Sequence, residues 1–179
     1  MNTPVRRHLP IGIQTFAKIR EGDYYYVDKT AVALDLARIG GYYFLSRPHR
    51  FGKSLFLDTL KELFEGNESL FRGLYIHDRW DWSIRYPVLR ISFGGGVVKN
   101  QADLNNMIHG QLSSHEECFQ LPAHFDDFPN RFRDLIQRLH LKLGQRVVKY
   151  RNEGWPITLI GVEFSRESRN IVGFEIEAA

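Results

Sequence analysis

Residues 42–57 read "YYFLSRPHRFGKSLFL": an apolar run, a turn rich in cations, then Gly-Lys-Ser opening a second apolar run. No other stretch limits the fold as strongly. A strand that runs into a helix through a Gly-Lys-Ser turn is how a chain cradles a phosphate. Gly52 lets the backbone approach the anion. Lys53 supplies a mobile charge for the terminal phosphates. The Ser54 hydroxyl is suited to Mg²⁺. The full pattern places a glycine five positions before Gly52, and here Arg47 stands there. Pro48 fixes φ where a flexible residue is usual. Arg47, His49 and Arg50 add cationic donors around the anion. The candidate nucleotide contacts are therefore Arg47, Arg50, Phe51, Gly52, Lys53, Ser54 and Leu55, with Ser54 also the metal contact. The implied ligands are a nucleotide's phosphates and Mg²⁺.

The surrounding pattern predicts helices over 31–39, 53–65, 101–119 and 130–143. Asp28 or Thr30 caps the first, and Gly40-Gly41 and Gly66 act as stops. Strands are expected over 42–45, 88–93, 146–150, 157–165 and 170–178, the last two as an antiparallel hairpin. This alternation predicts an α/β fold: a P-loop NTPase-like layered architecture with a partly parallel sheet, incomplete, plus a C-terminal β-hairpin.

With 179 residues, 43% of them hydrophobic and 25% charged, the chain is long enough and apolar enough to bury a core as one globular body. The formal net charge of +3 suits an anionic ligand but is too small an excess to argue for nucleic acid alone. A single cysteine, Cys118, excludes an internal disulfide and fits a reducing cytoplasm. No apolar run approaches the roughly 20 residues that span a bilayer, and the basic start lacks the apolar core of a secretory signal. A membrane partner is not expected. Nothing in the sequence speaks to oligomeric state.

The segments "LPIGIQTFAKIREGDYYYVDKT", "YYFLSRPHRFGKSL" and "RISF" resemble the bacterial AAA-ATPase-like proteins, over about residues 8–148. Members of that family pair a P-loop domain with a C-terminal PD-(D/E)XK nuclease-like domain. Their loop is usually R-P-R-R-F-G-K-S. The resemblance thus makes Arg47 a family trait, with His49 where the family has arginine.

The resemblance also implies an apolar strand ending in Asp-Glu-Tyr-Asp after the helix near 130–143. Such acids would complete the metal shell and polarise water. Here "GQRVV" is followed by "KYRNEGWP". The stretch from Lys149 resembles the far end of the family's nuclease-like domain. The expectation is a P-loop domain over 1–148, truncated before its acidic motif, and nuclease-like tail strands over 149–179, joined by an internal deletion near Val148–Lys149.

The resulting reading is binding of a purine nucleotide, ATP, with weakly held Mg²⁺ and little or no hydrolysis, and no residue is assigned as catalytic. Glu163 is a stand-in acid only if "ITLIGVE" has replaced the missing strand; otherwise Glu163, Glu175 and Glu177 face solvent. Two other readings stand beside it. One is a non-enzymatic interaction or remnant protein with a non-functional loop. The other is a nucleic-acid-associated module, for which "RWDWSIR" at 79–85 is the sole aromatic–cationic stretch found. His109, His115, His124 and His140 lack metal-ligand spacing, and Cys118 with His115 does not make a zinc site.

Overall fold

The computed structural model describes residues 7–39, 51–93, 99–143 and 162–164. Helices dominate them: α1 (Phe16–Glu21), α2 (Thr30–Ile39), α3 (Lys53–Phe64), α4 (Gln101–Phe119) and α5 (Phe128–Leu143). Two 3₁₀ turns, Glu68–Phe71 and His77–Arg79, follow α3. Strands are limited to β1 (Ile91–Phe93) and β2 (Val162–Phe164), which pair in parallel with Ser92 opposite Glu163.

The expected α/β layered fold is therefore corrected: among the described residues the architecture is helical, with one pair of three-residue strands in place of a layered sheet. Of the expected strands, 42–45, 146–150 and 170–178 lie outside the described residues, as do 157–161 and 165 of a fourth. The stretch 88–93 shows why apolar alternation overstated the sheet. A strand exists only through a ladder with a neighbour. Pro87 has no N–H to give one. The Arg90 backbone engages a side chain instead: its N–H lies 3.2 Å and its C=O 2.8 Å from His115 Nε2. Only Ile91–Phe93 remain to pair.

The helices are where periodicity put them, because a helix makes its own hydrogen bonds and needs only one face covered. Gly66, with φ of 75°, sits just past the end of α3 as expected. α1 was not anticipated. At six residues it is too short for periodicity to mark, and it survives by burying Phe16 and Ile19 completely.

The contacts divide the chain into two units, Met1–Leu89 with Ile136–Leu159 and Arg90–Leu135 with Ile160–Ala179. The core of the first unit is Phe16, Ala33, Leu34, Leu60, Leu63, Phe64, Phe71 and Ile76, with Trp80 and Trp82 packed against it. The "DRWDW" stretch thus serves the core. Polar pairings also fix this unit. Asp58 is 7% exposed on α3 and accepts the Phe16 N–H at 2.6 Å, satisfying a donor at the start of α1. Tyr26 Oη lies 3.3 Å from Thr59 Oγ1. Burial raises the Tyr26 phenol above its ordinary value.

The Asp28 carboxylate accepts from Thr30 N–H at 2.8 Å, from Thr30 Oγ1–H at 2.6 Å and from Tyr75 N–H at 2.7 Å. The Thr30 hydroxyl in turn accepts the Ile76 N–H at 3.2 Å. The Asp-Lys-Thr stretch therefore caps α2 and ties it to the segment between the 3₁₀ turns. Desolvation by burial pulls the Asp28 carboxyl up. The Thr30 and Tyr75 hydrogen bonds and the Arg20 charge outweigh it, leaving Asp28 below its ordinary 3.8.

A depressed native value makes the unfolded chain the better proton binder. The contribution of Asp28 is thus complete above about pH 4 and is lost as pH falls through the native value. Asp28→Ala is expected to cost about 1 kcal/mol near neutrality, the usual worth of a cap. The deficit relative to wild type should shrink on acidification below pH 4. Urea titrations at pH 7 and pH 3.5, followed by tryptophan fluorescence, measure both. A deficit of equal size at the two pH values would contradict the assignment.

In the second unit, α4 buries Leu104, Ile108, Leu112 and Glu116, four positions spaced by four along one face. The fourth is a carboxylate in line with three aliphatic residues, so it requires a partner. Arg131 of α5 provides one. Asn100 caps α4 by accepting the Asp103 N–H at 2.8 Å.

Candidate functional site

The Gly-Lys-Ser turn becomes the first turn of α3. Gly52 precedes the helix with φ of 74° and ψ of 25°, the left-handed region. Among the described residues no atom lies within 4 Å of where a Cβ at Gly52 would stand, and the positive φ by itself favours glycine there. The helix is closed by the Phe56 N–H donating to the Gly52 carbonyl at 3.0 Å. Lys53, Ser54 and Leu55 form its first turn, where backbone N–H groups point along the axis toward the N-terminus and the helix dipole favours an anion. α3 has twelve residues, long enough for that end to be well formed.

Four of the sequence-assigned side chains are placed around this end. Phe51 is 61% exposed just ahead of Gly52. Lys53 and Ser54 are half-buried. Leu55 points the other way, packing against the core cluster. Its side chain anchors the turn. Arg47, His49 and Arg50 lie outside the described residues, as does the 42–45 strand that would lead into the loop.

The far end of α3 is held by buried polar groups. Glu62, 8% exposed, receives Lys61 Nζ at 3.0 Å and is bonded by Asn67. Lys61 also reaches Glu65 at 2.8 Å. Desolvation opposes the Lys61 charge, but these two carboxylates raise its pKa above the ordinary lysine value. α3 is therefore fixed along its length: at Asp58 and Thr59 in the middle, and at Glu62 near its end.

Other candidates resolve into structural roles. Among the described residues no group of three or more His, Cys, Asp or Glu is placed to hold a metal. Cys118 is exposed, and His115 Nε2 lies 2.8 Å from the Arg90 carbonyl oxygen. His109 meets Arg131, and His124 Nδ1 lies 3.6 Å from Asp134. For Glu163 only the backbone register opposite Ser92 is defined. No helix among the described residues is long and apolar enough to cross a membrane.

A feature that sequence reasoning missed is the Glu116–Arg131 pair with its neighbours Ser113 and His109. Its signal was present: Glu116 continues the Leu104, Ile108, Leu112 stripe.

A family model described as "Predicted AAA-ATPase" matches residues 10–150. A protein of Azotobacter chroococcum mcd 1, described as an uncharacterized protein in the vnfD 5' region, is 57% identical over 169 residues. That match takes in 92% of this chain and 33% of the relative, so the chain spans about a third of the relative's length. No solved structure matches.

Proposed function

The chain belongs to the AAA-ATPase-like family, and on that premise we propose that it binds a purine nucleoside triphosphate, ATP, through the 47–55 loop and the N-terminus of α3, with little or no hydrolysis. The observation that carries the reading is the left-handed Gly52 followed at once by a helix starting at Lys53. That backbone is suited to close approach of phosphate oxygens, with the α3 N–H groups and dipole directed at them. Lys53 reaches the terminal phosphates as a mobile cation. The Ser54 hydroxyl contributes to a Mg²⁺ held otherwise by phosphate oxygens and water. Arg47 and Arg50 add charge on the loop.

Positioning and charge neutralisation provide most of the acceleration in phosphoryl transfer, and the metal carries much of that charge. The Asp-Glu-Tyr-Asp run of the resembled family does not follow 146–148 in this sequence. With no such acid to hold the metal shell or orient water, turnover falls away while phosphate binding persists.

Saturating Mg-ATP is expected to raise the melting temperature by a few degrees. A ligand at 100 times its dissociation constant contributes roughly 2.7 kcal/mol, which at this size corresponds to about 5–10 °C. A weak metal shell places the expectation below that range. Lys53→Ala should abolish the shift. A shift that survives this change puts the nucleotide elsewhere, and no shift in either protein favours the reading in which the loop binds nothing.

Steady-state ATP turnover is expected to match the Lys53→Ala control, with no cleavage of DNA or RNA in Mg²⁺ or Mn²⁺. Turnover above the control that Glu163→Gln removes would show that the C-terminal strand replaced the missing acid.

A further inference from the structure

We draw no further inference here: the strongest candidate, the exposed apolar side chains of Leu9, Ile11, Tyr25 and Val27 on the two segments that the His8–Tyr24 backbone bridge joins in the first unit, carries nothing, because nothing in the structure shows what covers them.

Discussion

Phe64→Ala is expected to destabilise the first unit by about 3–5 kcal/mol, the cost of a truncated core phenylalanine. Phe64 is fully buried at the end of α3. Its ring meets Trp80 edge-on at 5.5 Å between centroids and Tyr86 at 5.7 Å. Its carbonyl accepts the Tyr86 N–H at 2.8 Å, so the chain that returns past α3 is held at both backbone and side chain. Removing the ring deprives two aromatic residues of their partner, beyond the lost transfer energy, and leaves a void that packed neighbours refill only in part. Phe64→Leu preserves much of the volume and should cost less than half as much. Urea unfolding followed by tryptophan fluorescence measures both, since Trp80 and Trp82 pack on this cluster. Ile39→Ala, at a side chain 76% exposed, should stay within about 0.5 kcal/mol of wild type. A Phe64→Ala protein within 1 kcal/mol of wild type would refute this account of the core.

Breaking the Glu116–Arg131 pair from one side should cost the second unit a similar amount, about 3–5 kcal/mol. Hydrogen bonding to the Glu116 carboxylate is the main influence that raises the Arg131 pKa further above its ordinary value. Glu116→Leu leaves a secluded guanidinium without its carboxylate, and Arg131→Met leaves the carboxylate in line with Leu104, Ile108 and Leu112. Each single change strands a charge. The double change strands none and should recover most of the loss, because a buried ion pair and a packed apolar pair differ little in net stability. The tryptophans at 80 and 82 belong to the other unit, so the readout is amide exchange along α4 and the start of α5. Additive losses in the double variant would mean that the two side chains do not act as a pair.

Two features of the site were legible for different reasons. The turn at 52–55 was readable because its chemistry is written in consecutive residues: a glycine free to take positive φ, then a helix-forming apolar run. The role of Asp28 was half readable. Capping of α2 is a matter of two residues' separation, and the sequence suggested it. The third bond, from Tyr75 N–H, comes from a residue 47 positions away and no local pattern announces it. The Asp58–Phe16 contact, 42 positions apart, is of the same kind. A buried carboxylate in an apolar helix face tells the reader that a partner exists without telling which.

By itself, then, the sequence determined where α2, α3, α4 and α5 run and that a glycine stands just ahead of α3, since helix periodicity, caps and glycine stops act within a few residues. It also carried the family, through motifs of adjacent residues. Tertiary structure decided what depends on distant neighbours. It determined that Ile91–Phe93 alone of 88–93 joins a ladder, because His115 takes the Arg90 backbone; that six residues from Phe16 hold as a helix, because their apolar face is buried and Asp58 caps them; and that Glu116 is tolerated inside, because Arg131 reaches it from the next helix. Strand pairing and buried charge each require a specific partner brought in from elsewhere in the chain, and that meeting is settled only when the chain packs.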